Sequence, residues 1–452
     1  MNIVQVSTAD RGGGAYQVAW FLYEGYAQAG HTSWMVVHEN KSGESRIVAM
    51  SSYRDGLWYR LLNQAAQVVP NRLGLWRIQR GLKHLARPKW LLSQLQGHEF
   101  FDFPDTHRVW GRLPVSPDII HAHNLHGNYF DLRVLPTLSH RYRTVLTLHD
   151  AWLLSGHCAH SFECERWRIG CGQCPDLLIP HPLWRDGTAY NWQRKRSIYS
   201  HSRLYVATPC QWLMDKVHAS ILSEGIADSR VIPHGIDLSI FPPKPKFEVR
   251  KALGLPQETQ IILFAANGIR KNVWKDYTLM RGAIRLLGEM DTPILFLALG
   301  EDAPSEQIGN ARIQFVPFQE DVTRVAQYYQ AADVYLHGAR VETFPNTILE
   351  ALACGVPVVA TAVGGIPEQI QGYGGFGVSP TLNKDSVDAA TGILVPPGDA
   401  HSMAQALEKL LENKDIRQRL GHNATDDAKQ RFDLKLQVER YLAWFEEIQS
   451  TS

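Results

Sequence analysis

Short apolar runs alternate along the chain with longer stretches whose apolar positions recur every three or four residues. The runs Ile3–Ser7, His31–His38, Asp118–His123, Thr144–His149, Leu204–Thr208 and Arg230–Pro233 read as strands. Helical spacing covers Tyr16–Ala29 and Leu132–His140 between them. The turn-rich stretch from Ile232 to Pro243 reads as a linker, after which the alternation restarts. Strands are then expected at Ile261–Ala265, Ile294–Leu299, Ile313–Pro317, Val334–His337 and Val356–Thr361. Helices are expected at Tyr277–Glu289, Val322–Ala332 and Asn346–Cys354. Such alternation implies parallel βαβ units and doubly wound sheets. The fold class is therefore α/β, with two Rossmann-like domains over 1–235 and 236–430. Leu434, Val438, Leu442, Phe445 and Ile448 carry helical spacing, so 431–452 reads as a final helix. It packs on the second domain or crosses back to the first. Ligands of open parallel sheets sit at the carboxyl ends of the strands. Two such domains facing one another predict a cleft site.

Composition narrows the setting. The 46 basic and 45 acidic residues leave a net charge of +1, which gives no general argument for nucleic acid. Met1–Val6 already reads as a strand, with no basic segment leading into an apolar one, so a secretory signal is not expected. No apolar run is long enough to span a bilayer. Six cysteines in 452 residues without a signal point to a reducing, cytoplasmic compartment.

Candidate chemistry concentrates between Ala339 and Val359. Pro345 suits the first turn of a helix, where a missing N–H costs little. Gly355 suits its stop. The amides near Phe344, Pro345, Asn346 and Thr347 end a helix dipole that favours a diphosphate. Glu342 precedes that helix and Glu350 lies about a turn inside it. Carboxylates accept hydrogen bonds from vicinal hydroxyls, so one suits a hexose and the other a ribose. The competing reading is two solvated glutamates, and the flanking Phe-Pro-Asn turn and Gly-x-Pro-Val-Val strand weigh against it.

Here the chain resembles the retaining glycosyltransferase family 4, which has the GT-B fold. The Glu-x7-Glu motif matches at Glu342 and Glu350. The run from Glu350 through Cys354-Gly355-Val356-Pro357 to Thr361 also matches, as do Val363-Gly364-Gly365-Ile366-Pro367-Glu368 and Thr391–Asp399. The likeness is strongest over Ile261–Leu411. It implies that Glu342 touches the donor sugar and Glu350 the ribose. It also implies that Arg270 and Lys275 bind the diphosphate, although Asp276 stands where a glycine usually follows the lysine; Lys271 is a second candidate for the first charge. Gly13 and Gly14, in the turn after the first strand, would approach the donor phosphates or the acceptor. His149, within Thr147-Leu148-His149-Asp150, resembles the histidine that reaches the donor sugar. His121, His123 and His126 carry no such match, and His234 replaces the usual asparagine. The resemblance implies transfer with retention, the leaving diphosphate helping to deprotonate the acceptor. Positioning and charge stabilisation then supply the catalysis. Without an Asp-x-Asp motif, a catalytic metal is not expected. The co-substrate would be a nucleotide-diphosphate sugar.

Two insertions stand apart. Cys158, Cys164, Cys171 and Cys174 fall within 151–190, and their Cys-x2-Cys half has the spacing of a zinc knuckle. Structural zinc, two disulfides and four free thiols are all open; a reducing compartment favours zinc. The segment resembles an insertion in some bacterial polysaccharide glycosyltransferases. Within 50–95, Arg54, Arg60, Arg72, Arg77, Arg80, Lys83, Arg87 and Lys89 accompany one acid, Asp55, with Trp58, Leu61, Leu73, Trp76 and Trp90 interleaved. That pattern suits an anionic membrane surface, as well as an ordinary hairpin with a solvated basic face. The expected activity is transfer of a hexose to a glycan or lipid-linked glycan in bacterial polysaccharide assembly, at the inner face of the cell membrane. A sugar-nucleotide epimerase and a silent sugar-nucleotide-binding module are the alternatives.

Overall fold

The computed structural model describes residues 1–50, 56–69 and 75–450. Arg54, Asp55, Arg72 and Leu73 of the basic segment, and the side chain of Trp76, lie outside what is described. The chain forms two compact units. One comprises Met1–Thr208, Leu213–Val231 and Leu442–Ser452; the other comprises Pro209–Trp212 and Ile232–Tyr441.

The first unit is built on seven parallel strands: β1 (Asn2–Ala9), β2 (Thr32–Glu39), β3 (Ile47–Ala49), β4 (Ile119–Ala122), β5 (Arg143–Thr147), β6 (Leu204–Thr208) and β7 (Ile226–Val231). Their order is β3-β2-β1-β4-β5-β6-β7. Every pair runs parallel. Ile3, Val4 and Val6 are buried without alternation, as strands covered on both faces require. The last strand begins four residues earlier than its apolar run suggested. It is an edge strand carrying Asp228, Ser229 and Arg230, which a search for apolar runs passes over.

The second unit has nine strands: β8 (Gln260–Ala265), β9 (Ile294–Leu299), β10 (Glu306–Ile308), β11 (Ala311–Val316), β12 (Val334–His337), β13 (Val358–Thr361), β14 (Gly372–Tyr373), β15 (Asn383–Lys384) and β16 (Gly392–Val395). Their order is β10-β11-β9-β8-β12-β13-β16-β14-β15. Only β10 runs antiparallel to its neighbour among the described pairs. Phe264, Phe296, Ile284 and Leu407 lie in its core. Buried Asp333 is neutralised by Arg250 and Lys246, each at 2.7 Å. The final helix, Leu434–Ser450, belongs to the second unit up to Tyr441 and to the first from Leu442. Among the described residues no helix is long and apolar enough to cross a membrane.

Candidate functional site

In the second sheet, the strand order reverses between β8 and β12. Connections from two such strands diverge and leave a crevice at their carboxyl ends. The loop after β8 carries Lys275, and the loop after β12 carries Glu342. An isolated bridge between Lys275 and Ala339 draws the two loops together. The Lys275 ammonium pairs with the Glu342 carboxylate. It also donates to His337 Nε2 at 3.2 Å, at the end of β12. Accepting that bond makes His337 a neutral ring with its proton on Nδ1, facing the Tyr335 hydroxyl at 3.2 Å. Burial and the adjoining ammonium push His337 down to about 4, which keeps it neutral near pH 7. Burial alone would raise Glu342, but the Lys275 ammonium outweighs it and holds the carboxyl well below the ordinary range.

Backbone packing fixes the Glu342 loop. Thr361 Oγ1 accepts from the Ala339 amide at 3.0 Å and donates to its carbonyl at 2.9 Å. A side chain at Gly364 would overlap the Glu342 carbonyl, and one at Gly365 would overlap the Thr343 carbonyl and Cys210 Sγ. The Val-Gly-Gly segment is therefore the surface on which the Glu342 loop rests. Glu368 accepts from the Gln211 and Trp212 amides at 2.7 and 2.8 Å. Asp276 caps the helix Tyr277–Leu287 by accepting from Leu279 N at 3.0 Å. That role explains an aspartate directly after Lys275.

The helix Asn346–Ala353 begins four residues after Glu342. Pro345 is its cap, with ψ of 123°, and does not sit inside the first turn as expected. Its extended backbone places it one position outside. Among the described residues the amides of Asn346 and Thr347 take no backbone carbonyl. His234 Nδ1 meets Asn346 Oδ1 at 3.0 Å, and its ring stands edge-on to Phe344 at 5.6 Å. It braces the start of the helix. Glu350 is 7% exposed, and no cation is set against it among the described residues. Burial pushes it up to about 7, with the Tyr329 phenol opposing the shift.

Arg270 stands outside the Lys275–Glu342–His337 trio. Its Nε donates to Glu301 Oε1 at 2.6 Å, and its guanidinium lies over Phe315 at 5.2 Å. Glu301 also accepts from the Ile269 and Arg270 amides. Lys271 lines a cavity of about 260 Å³ with Asn267, Gly268, Asn272 and Glu301.

In the first unit the strand order reverses between β1 and β4. Gly13 and Gly14 follow β1, and Gly14 caps the helix Ala15–Gln28. Nothing stands within 4 Å of where a Cβ at either would lie. His149 lies two residues past β5, because the ladder continues only through the Leu148 amide. Its Nε2 meets His123 Nδ1 at 3.0 Å, and His123 Nε2 meets Gln5 Oε1 at 2.8 Å. His123 thus bridges His149 and Gln5. The motif match that singled out His149 did not extend to His123; only the sheet, which puts β4 beside β5, shows the link. His121 is fully buried between Tyr26 and Thr147, and burial pushes it down to about 3. It is structural.

His126 Nε2 lies 2.7 Å from Asp150 Oδ2. Burial would raise Asp150, but His126 holds it low. His126 of this pair lines a cavity of about 250 Å³ walled by Trp90, Phe100, Phe101, Phe130, Trp152 and Trp184, with His181 also lining it. Sequence reading missed the cavity, since its aromatics come from segments distant along the chain. Buried Lys195 secures the segment after Asp150. It donates to the Trp152 and Ser155 carbonyls, both at 2.9 Å, and pairs with Glu99 at 2.9 Å. Cys158, Cys164, Cys171 and Cys174 carry no disulfide and line one pocket with His157. Among the described residues no group of three or more His, Cys, Asp or Glu is placed to hold a metal ion.

Residues 245–427 match the family described as glycosyl transferases group 1. The chain is 25% identical over 396 residues to the putative colanic acid biosynthesis glycosyl transferase WcaC of Escherichia coli (strain K12), covering 84% of this chain and 87% of that one. Sucrose-phosphate synthase from Thermosynechococcus elongatus superposes with a TM-score of 0.63 at 18% identity, covering all of both chains. Anabaena Alr3699/HepE, solved in complex with UDP-glucose, does so with a TM-score of 0.59 at 16% identity, again over all of both chains. The likeness to these structures shows a GT-B fold.

Proposed function

We propose that the chain, whose residues 245–427 match the glycosyl transferases group 1 family, transfers a hexose from a nucleotide-diphosphate sugar, with retention, to a glycan or lipid-linked glycan acceptor. One observation carries the reading: a partly buried ammonium–carboxylate pair beside an open helix N-terminus, at the switch point of a parallel sheet. The similarity to WcaC favours bacterial polysaccharide assembly, and the UDP-glucose complex of HepE favours a nucleotide sugar as donor.

The residues divide the work by charge. Lys275 has three donors; Glu342 and His337 engage two, and the third suits a phosphate oxygen. The Asn346 and Thr347 amides, with Phe344 and Pro345 shaping the turn, suit the other phosphate oxygens. Arg270 would join them by releasing Glu301. Glu342 accepts from hexose hydroxyls and Glu350 from the ribose. His149 would reach a hydroxyl of the transferred sugar, while Gly13 and Gly14 leave room beside their backbone. As the bond from the sugar's anomeric carbon to the diphosphate breaks, the acceptor oxygen bonds to the same face. Its proton passes to the leaving phosphate oxygen. No side-chain base is needed, and the cation and amides stabilise the departing charge. The aromatic cavity beside His126 and Asp150 suits an acceptor ring, with apolar walls and a polar edge.

Exposed Trp58, Leu61, Ile78 and Leu85 stand among exposed Arg60, Arg77, Arg80 and Lys83 on the helices Leu57–Val68 and Trp76–Leu85. This supports docking on an anionic membrane, where a lipid-linked acceptor would reside. Flotation with anionic vesicles tests it; protein left in the soluble fraction would refute it. The donor site is tested by thermal shift across a panel of nucleotide sugars. One donor should raise the melting temperature, and Glu350→Ala should abolish that rise. An undiminished rise would overturn the ribose assignment.

A further inference from the structure

Lys275 and Glu350 come from different elements, the loop after β8 and the helix Asn346–Ala353. Three fully buried polar rings stand between them: His337, Tyr335 and Tyr329. The first two lie two residues apart on β12, on one face of the strand. The third comes from the helix Val322–Ala331, which leads into that strand. The alternate positions of β12, Val334 and Leu336, belong to the apolar core. Apolar side chains would also fill the places of the three rings, without the cost of burying a hydroxyl or an imidazole. Their polarity therefore calls for a reason.

The hydrogens along this row run one way. The Lys275 ammonium has no lone pair, so it is the donor to His337 Nε2 at 3.2 Å. The neutral ring then donates from Nδ1 to Tyr335 Oη at 3.2 Å. An oxygen that accepts this bond turns its own hydrogen onward, where Thr347 and Tyr329 stand beside it. The Tyr329 ring lies 5.4 Å from that of Tyr335. Tyr329 Oη makes no close hydrogen bond among the described residues. Its phenol is nonetheless near enough to Glu350 to offset part of the effect of burial on that carboxyl. From the cation to the carboxylate every donor faces the same direction, and one link, at Tyr329, is open. Aligned hydrogen bonds in a buried setting polarise one another, so a change at one end strengthens or weakens the bonds at the other.

Resting on the assignment of Glu350 to the ribose and Lys275 to the diphosphate, we propose that His337, Tyr335 and Tyr329 form a relay that couples these two ligands, with His337 as the residue that positions Lys275. Ribose hydroxyls that donate to Glu350 favour its charged form. Tyr329 Oη then closes on the carboxylate, Tyr335 turns towards Tyr329, and His337 becomes a better acceptor for Lys275. The three rings keep their protons and no covalent bond changes. The relay makes the site selective for a diphosphate that brings a ribose with it. A diphosphate without ribose hydroxyls loses its contact with Glu350 and also part of what Lys275 contributes.

Calorimetry on the full chain tests this with four ligands of one base: the nucleoside diphosphate, the monophosphate, and the 2′,3′-dideoxy form of each. Uridine, guanosine and adenosine series are compared, and the base that binds is carried forward. In wild type, the loss in affinity on removing the hydroxyls should be about fivefold larger for the diphosphate than for the monophosphate. In Tyr335→Phe and Tyr329→Phe that difference should fall below about twofold. His337→Leu should abolish it as well, whereas His337→Gln, which can accept from Lys275 and donate to Tyr335 through one amide, should restore most of it. A variant that merely loosened the fold would weaken all four ligands alike. Equal hydroxyl losses for both ligands in wild type, or a difference unchanged in the two phenylalanine variants, would overturn the relay and leave the donor assignments standing. Should none of the three diphosphates bind wild type, the donor assignments fall and the relay with them. The wild-type comparison decides even where a variant does not fold.

Discussion

Glu350 is a carboxylate held where its charge is disfavoured. Burial lifts it from 4.5 to about 7, so the folded protein binds a proton there that the unfolded chain releases. Stability from this group is therefore greatest below about pH 4.5 and is lost as pH rises towards 7, by about 3 kcal/mol at most. Glu350→Gln should melt higher than wild type at pH 8, with the gap closing towards pH 5; a variant less stable at both would refute this. Ribose hydroxyls favour the charged form, so donor binding at pH 7 should release a fraction of a proton. Calorimetry in buffers of different ionisation enthalpy reads that number, and the Gln variant should show none. Lys275 works in the opposite sense, since it holds Glu342 ionised. Lys275→Ala should lower kcat about a hundredfold or more and leave Glu342 with burial unopposed. Wild-type turnover in that variant would remove Lys275 from the phosphate role.

At the scale of the element, the Glu342 loop depends on a neighbour that touches no substrate in the proposed scheme. Gly365→Ala would force the loop off the Thr343 carbonyl. A kcat loss of tenfold or more, with about 1–3 kcal/mol of destabilisation, is expected in turnover and denaturant unfolding. The Lys195–Glu99 pair gives a second test. Lys195→Met strands a buried carboxylate and should cost about 3–5 kcal/mol, while Lys195→Met with Glu99→Leu should recover much of it. Chemical denaturation of both variants decides. These elements show what a sequence reveals and what it hides. Central strands such as Leu204–Thr208 and Ile294–Leu299 were legible to the residue, because parallel strands buried on both faces are unbroken apolar runs. The edge strand Ile226–Val231 was not, because Asp228, Ser229 and Arg230 interrupt its apolar run. Lys275 and Glu342 were legible through motif spacing. Their common partner His337 was not, since a histidine at a strand end reads the same whether or not a loop from β8 reaches it. The cavity beside His126 was equally hidden, being assembled from segments around residues 90, 100, 126 and 184.

For the molecule as a whole, the last helix is the element with most at stake. Phe445 lies 5.7 Å from Tyr26 and 5.6 Å from His121, and Trp444 Nε1 donates to Asp228 Oδ2 at 2.8 Å. Ending the chain after Tyr441 should therefore expose the core near β1 and β4. Hydrogen exchange should rise in the helix Ala15–Gln28 and in β4 while β8 and β9 stay protected; uniform protection would refute this. A ribosome makes this chain in order, and the same feature sets a schedule for it. The sheet of the second unit has all its strands once residue 395 is made. The first unit, although its strands emerge earliest, waits for its closing piece until Leu442 and the residues after it leave the exit tunnel. A nascent chain stalled anywhere before Leu442 carries an unfinished amino-terminal core, so synthesis of this helix acts as the checkpoint for that half.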